Sequence, residues 1–201
     1  MTSLLRLLQL ADSAIPIGAT AHSYGLETLA SEGILESANL EEFLTAWLEE
    51  AGAQDAIFLR RAFREDVSEL SVELSARKPA SESRDASIKI GRRFAQLVNA
   101  IAGTEIEPGL HYSIAFGSAA AALGIDEDAA VLAYLQQSVT GLVSACQRLM
   151  PLGQVAAARV VWNLKPAIIQ AAAAKELSCF TPLPEIASMR HPLLETRLFI
   201  S

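Results

Sequence analysis

The sequence predicts an all-α protein, built as a single-domain helical bundle. Its 201 residues are a usual length for one domain. Hydrophobic residues make up 51% of the chain and aromatic residues only 6%, and the many Ala and Leu residues favour helix over strand. No segment alternates between apolar and polar residues over a strand's length between turn residues. A chain of this length can bury roughly 70% of its unfolded surface, so the bundle needs no disulfides.

The charge balance and the apolar runs exclude two classes of partner. The formal net charge is −7, which argues against nucleic acid, because nucleic-acid binders use Lys and Arg to contact phosphates. The most apolar stretch, residues 139–162, is interrupted by Arg148 and Pro151, so we expect no membrane-spanning helix. Cys146 and Cys179 are too few for a disulfide scaffold. These features predict a cytoplasmic protein with reduced cysteines.

Helical periodicity covers most of the first half of the chain. The leucines of residues 4–11 predict a short helix, and residues 12–25, rich in Ser, Pro and Gly, predict a structured loop. Asn39 is expected to cap the next helix, with Glu42 as its partner in a capping box. A longer helix is predicted over residues 57–70.

Residues 78–85 are polar and contain a proline, so the sequence predicts a loop there. Helices are then expected over residues 87–102, 110–123 and 126–149. A further helix should run from beyond Pro151 to about residue 174, with a kink or break at Pro166. Runs of small residues in these helices would allow close contact between neighbouring helices.

The chain divides into a helical domain, residues 1–178, and a C-terminal tail, residues 179–201. Pro182, Pro184 and Pro192 exclude one continuous helix in the tail. The tail is nevertheless rich in Leu, Ile and Phe, which is unusual for a solvated terminus. It must therefore pack on its own core or dock on another protein, and the sequence leaves both possibilities open.

No self-sufficient active site is visible in the sequence. The chain lacks a P-loop and a Gly-x-Ser-x-Gly nucleophile motif. His22, His111 and His191 are too dispersed for a metal cluster, so we interpret them as surface or capping residues, although a single-histidine site shared with a partner stays possible. Cys146 and Cys179 are interpreted as structural residues. We therefore predict no catalytic residues, no metal site and no cofactor.

Three segments carry more information than helix packing requires. Residues 8–18 read LQLADSAIPIG and continue into HSYGLE at residues 22–27. Residues 148–154 read RLMPLGQ. The tail contains PEIASMRH at residues 184–191 and RLFIS at residues 197–201. Taken alone, these segments could be a turn between two helices, a helix junction broken by proline, and a tail folded on its own bundle.

Together the three segments resemble the UreF family of urease accessory proteins. That family has a Leu-Gln-Leu block ending in Pro-Ile-Gly, then Ser-x-Gly-Leu-Glu, Pro-Leu-Gly-Gln, Ser-Met-x-His and a final Arg-Leu-Phe-x-Ser. All occur here in the same order. The chain departs from the family at Ala19 and Thr20, which replace the usual Gly-Phe, and at Pro192, which replaces an acidic residue.

The resemblance implies an all-helical homodimer with a non-enzymatic role in urease maturation. Family members bridge the accessory protein UreD/UreH and the GTPase UreG, and the assembly docks on apo-urease. Nickel is then the cargo of the complex and not a resident cofactor of this chain.

The resemblance also assigns candidate binding residues to two surfaces. The tail is expected to bind UreD/UreH, and its candidate residues are Met189, Arg190, His191, Leu194, Arg197, Leu198 and Phe199. A dimer face is expected to receive UreG, and its candidate residues are Arg148, Gln154, His22, Tyr24 and Glu27. The alternative from another class is a helical metal- or ligand-binding protein or enzyme with a buried pocket between its helices.

Overall fold

Helices build the whole fold, as the sequence predicts, and there is no strand. The computed structural model describes residues 1–201. The helices are α1 (Thr2–Leu10), α2 (Leu26–Ser31), α3 (Leu40–Trp47), α4 (Ala53–Arg61), α5 (Val67–Ala76), α6 (Ser81–Ala102), α7 (Tyr112–Ala122), α8 (Glu127–Leu149), α9 (Gln154–Asn163), α10 (Lys165–Ala172) and α11 (Pro182–Arg190). A π-helical turn, Leu48–Gly52, joins α3 directly to α4.

One hydrophobic core extends from Leu7 in α1 to Phe199 near the C-terminus. Helix α7 lies at its centre, and residues 112–117 are all buried. The rings of Phe94 in α6 and Phe116 in α7 stack with their centroids 5.3 Å apart. The tail therefore belongs to the same folded body as the bundle.

Small residues bring α7 and α4 into close contact, at a glycine just before the predicted small-residue run of residues 118–122. A Cβ atom added to Gly117 would lie 2.3 Å from the carbonyl oxygen of Leu59, so no larger residue fits without moving a backbone. Ala119 and Ala120 are also buried, whereas Ala121 and Ala122 are exposed. Only part of the predicted small-residue run is therefore used for packing.

The single long helix predicted over residues 57–70 is wrong, because α4 ends at Arg61 and α5 begins at Val67. Asp66 separates them: its carboxylate accepts hydrogen bonds from the amides of Ser68 and Glu69, at 2.9 and 3.0 Å. An N-cap of this kind satisfies amides that a new helix leaves unpaired. Apolar periodicity continues across the break, which is why the sequence pattern did not reveal it.

The loop predicted over residues 78–85 is also wrong, since α6 already begins at Ser81. A long-range contact contributes here: the Glu185 carboxylate in α11 accepts a hydrogen bond from the amide of Ala80 at 2.7 Å. The amide before the helix is thus satisfied by a residue 105 positions away. Local polarity could not indicate that partner.

The capping box predicted at Asn39 is absent. Its side chain instead accepts a hydrogen bond from the amide of Glu36 and donates one to the carbonyl of Ile34, both at 2.9 Å. The side chain closes the preceding turn and makes no capping bond to α3. By contrast, Asp126 does cap α8, accepting from the amide of Ala129 at 2.9 Å.

Helix α8 is long and apolar enough to cross a membrane by length and composition alone. Half of its most apolar window is buried inside the bundle. Core helices of soluble proteins have the same length and composition, so this helix is weak evidence for a membrane span.

Candidate functional site

The tail packs against α2 and α6 of its own bundle. Arg190 forms an ion pair with Glu32 at 2.8 Å, and the hydroxyls of Ser83 and Ser188 are hydrogen-bonded at 2.8 Å. Gly25, directly before α2, has φ +87°, and a Cβ atom there would lie 2.7 Å from the carbonyl oxygen of Pro184. Of the two possibilities that the sequence left open, self-packing is therefore the one found.

Glu27 in the first turn of α2 holds the end of the tail. Its carboxylate accepts hydrogen bonds from the amides of Leu198 and Phe199, at 2.5 and 3.1 Å. It also contacts Nε2 of His191 at 2.8 Å, and Nδ1 of the same ring lies 3.0 Å from Glu82 in α6. His191 is fully buried, so this imidazole links α2, α6 and the tail.

Arg148, in the last turn of α8, joins the N-terminal loop to the tail. Its guanidinium donates to the carbonyl of Thr20 at 3.1 Å and to the carbonyl of Leu198 at 3.3 Å. The same group lies 4.2 Å from the centre of the Phe199 ring, a cation–π distance. The side chain remains exposed while making these contacts.

Residues 21–23 of the loop pair with the last two residues of the chain. The amide of Ile200 donates to the carbonyl of Ala21 at 2.8 Å, and the amide of Ser23 donates to the carbonyl of Ser201. His22 Nδ1 is 2.6 Å from the Ser201 hydroxyl. Burial, reinforced by the charges of Lys89 and Arg93, lowers the pKa of His22 to about 4, so its imidazole is neutral near pH 7.

We call this group the tail clasp. It consists of His22, Glu27, Arg148, His191 and residues 198–201.

The tail clasp brings together candidates that the family resemblance assigned to two different partners. Arg148, His22 and Glu27 came from the predicted dimer face, whereas His191, Leu198 and Phe199 came from the predicted tail surface. His191 and Phe199 are buried, so in this structure they hold the tail and offer no surface to a partner.

The other candidates lie outside the tail clasp. Met189, Arg190, Arg197 and Gln154 are exposed, and Leu194 is partly buried. Tyr24 has an unusual positive φ of 52° and lines a cavity that is partly open to solvent.

The interpretation of the histidines as surface or capping residues is wrong, because all three are buried. His111 lies between the hydroxyls of Ser87 and Ser75, at 3.0 and 2.9 Å. Burial lowers the pKa of His111 to about 4, with the nearby charge of Lys78 acting in the same direction. Cys146 is a core residue as expected, and burial raises the pKa of its thiol to about 12.

A cavity of about 230 Å³ lies between the N-terminal loop and the bundle. Tyr24, Tyr112 and Tyr134 line it, together with an ion pair of Asp55 and Lys78 at 3.3 Å. The Tyr134 hydroxyl donates to Asp55 at 2.9 Å. Burial raises the pKa of all three tyrosines above the ordinary value of 10, so their hydroxyls stay protonated. The walls suit water or a small polar molecule.

Sequence reasoning missed Glu82, which faces His191. The polar pattern of residues 81–85 predicts a loop, and a loop gives these carboxylates no defined place in a site. No group of three or more His, Cys, Asp or Glu side chains is arranged to hold a metal ion.

These features define a class: an all-helical, single-domain protein whose C-terminal tail is bound back onto its N-terminal loop. The family model for UreF matches residues 34–165. Curated relatives include the urease accessory protein UreF of Nostoc sp., 37% identical, covering 98% of this chain and 95% of the relative. UreF of Paenarthrobacter aurescens is 34% identical over 98% and 97% of the two chains, and UreF of Haemophilus influenzae is 30% identical over 100% and 97%. The chain belongs to the UreF family of urease accessory proteins.

Proposed function

We propose that this accessory protein of urease maturation acts as a nickel-insertion chaperone that bridges UreD/UreH and the GTPase UreG. It works in the cytoplasm as a homodimer, delivers the assembly to apo-urease and catalyses no reaction of its own. Nickel is the cargo of the assembly. The family membership supports the maturation role, and the bridging role rests on the surface described next.

The observation that carries the bridging role is the tail clasp. It joins the two predicted binding segments, so that the exposed tail residues and Arg148 belong to one connected region. Met189 and Leu198 are about half exposed although both are apolar, and Arg190 and Arg197 are exposed beside them. Exposed apolar residues flanked by arginine are typical of surfaces that bind proteins.

The test is co-purification with tagged UreG and, separately, with tagged UreD/UreH. A chain lacking residues 190–201 should keep its helical circular dichroism, because most of the core lies in α3 to α10, and it should no longer capture UreD/UreH. Deletion of residues 1–3, which are not buried, is the matched control and should leave capture unchanged. Retained capture by the truncated chain would contradict the proposal, as would failure of the intact chain to bind either partner.

The cavity beside the N-terminal loop is the observation that favours the alternative function, a ligand-binding protein. A helical ligand-binding protein would contain a stoichiometric small molecule or metal in that cavity after purification. Native mass spectrometry of the freshly purified chain distinguishes the two functions. A mass accounted for by one or two polypeptides with no added ligand, together with capture of the two partners, supports the chaperone.

A further inference from the structure

The basic side chains of this acidic protein fall into two groups. Seven of the 16 basic side chains form ion pairs with carboxylates, for example Arg60 with Glu127 at 3.0 Å. Lys89, Arg93 and Arg148 form no ion pair within 4.0 Å, and all three are exposed. Six other basic residues are also without an ion pair, so these three are distinguished by their position around one loop and not by being unpaired.

The three cations surround one short loop. Arg93 in α6 lies 3.5 Å from the carbonyl of Ile17, and Arg148 in α8 lies 3.1 Å from the carbonyl of Thr20. Lys89 is one helical turn before Arg93, and the charges of both add to the effect of burial in lowering the pKa of His22. Each guanidinium has five N–H donors and uses only part of them on these carbonyls. The remaining donors have no protein partner.

Exposed apolar side chains lie beside one of these cations, Arg148. Leu198 and Ile200 at the end of the tail are 56% and 57% exposed. Phe199 lies between these two residues in the sequence, and the Arg148 guanidinium contacts its ring. We call Lys89, Arg93, Arg148, Leu198 and Ile200 the cationic loop surface. An apolar centre with an arginine-rich edge has the anatomy of a protein-binding surface.

We propose that the cationic loop surface binds an acidic segment of a protein partner, an inference that rests on the proposed bridging function. The planar guanidinium groups of Arg93 and Arg148 match carboxylates in shape and charge. A local positive surface on an acidic molecule steers such a segment to this loop and raises the association rate. Nucleic acid fits less well, because the chain as a whole repels phosphates.

Association kinetics test this proposal. Immobilised UreG and immobilised UreD/UreH are each exposed to the wild-type chain and to the double variant K89E/R93E, at about 50 mM and about 300 mM NaCl. For one of the two partners we expect an association rate at least about tenfold lower at low salt, with most of the difference lost at high salt.

The matched control is R159E/K175E, which makes the same change in charge at two exposed basic residues outside this surface. It should change the rate by less than about twofold. The neutral variant K89Q/R93Q should give an intermediate rate, and thermal unfolding of each variant excludes misfolding as the cause. Equal rates and equal salt dependence for wild type and K89E/R93E, toward both partners, would overturn the proposal.

Two further probes separate this inference from the proposed function. Poly-L-glutamate should bind the wild-type chain and should not bind K89E/R93E. This result tests the cationic loop surface independently of the bridging function, because it needs neither UreG nor UreD/UreH. A double-stranded DNA oligonucleotide that binds more tightly than poly-L-glutamate at about 150 mM NaCl would assign the surface to nucleic acid and overturn the proposal.

Discussion

At the scale of single residues, Glu27 decides how the tail is held. A buried carboxylate is costly unless it is paired, and Glu27 is only 5% exposed. Two backbone amides and an imidazole satisfy it, and all three belong to the tail. The charge is therefore stable in the core only while the tail is in place, so Glu27 is one of the residues that hold the tail.

Glu27→Gln should loosen the tail without unfolding the bundle. The amide keeps one acceptor but loses the charge that His191 contacts, so we expect the free energy of unfolding to fall by about 1–3 kcal/mol. Hydrogen exchange at the amides of Leu198 and Phe199 should become faster. Glu195→Gln, at an exposed tail residue with no hydrogen bond, is the control. Unchanged protection at both amides would refute the role given to Glu27.

Arg148→Ala should separate the loop from the tail. The substitution removes two hydrogen bonds to carbonyls and the contact with the Phe199 ring, while the helical circular dichroism stays the same. Capture of UreG and urease activation in a co-expression assay should both fall. Arg159→Ala, an exposed arginine of α9, is the control. If capture and activation match those of the control, Arg148 is not part of the binding surface.

At the scale of elements, the docking of α11 depends on the absence of a side chain at Gly25. Both the positive φ and the contact with Pro184 exclude a Cβ atom there. With any residue other than glycine at position 25, α11 could not lie this close to the start of α2. The position of the tail relative to the loop is set by this contact as well as by Glu27.

Gly25→Ala should displace α11 and expose the tail to proteolysis. Gly33→Ala is the matched control, because Gly33 also has positive φ, at +68°, but open space around its Cβ position. Both variants carry backbone strain of about 1 kcal/mol, and only Gly25→Ala adds the clash. Limited trypsin digestion at Arg190 and Arg197 should be faster in Gly25→Ala alone. Equal digestion of the two variants would contradict this reading of the contact.

The helices themselves could be predicted because apolar periodicity is a local signal. The start of α6 could not, since Glu185 from the tail satisfies the amide before it. In the site, too, local signals could be predicted and long-range contacts could not. Arg148 and Glu27 were identified as candidates, but their contacts with the tail join residues 50 and 171 positions apart, and no pattern in the sequence pairs them.

At the scale of the whole molecule, two buried neutral histidines make stability depend on pH. The pKa of His22 and that of His111 are lowered to about 4, against 6.5 in an unfolded chain. Below pH 6.5 the unfolded chain binds protons that the folded chain does not. The free energy of unfolding must therefore fall as the pH falls from 6.5 toward 4.

Urea unfolding at about pH 7 and about pH 5 should show this loss. Each histidine contributes about 1.4 kcal/mol per pH unit between the two pKa values, or about 2 kcal/mol over this interval. His111→Gln should have a shallower pH dependence than the wild type, since one of the two groups is gone. The same dependence in both proteins would show that His111 does not have the lowered pKa.

Arg148 donates to the loop and to the tail with one guanidinium, and this sharing has a thermodynamic consequence. Two ligands that both bind the clasped arrangement more tightly each raise the affinity for the other by the same factor, since a coupling free energy is reciprocal. Two partners that both bind these segments in the clasped arrangement would therefore assemble cooperatively, and the first to arrive would raise the affinity for the second.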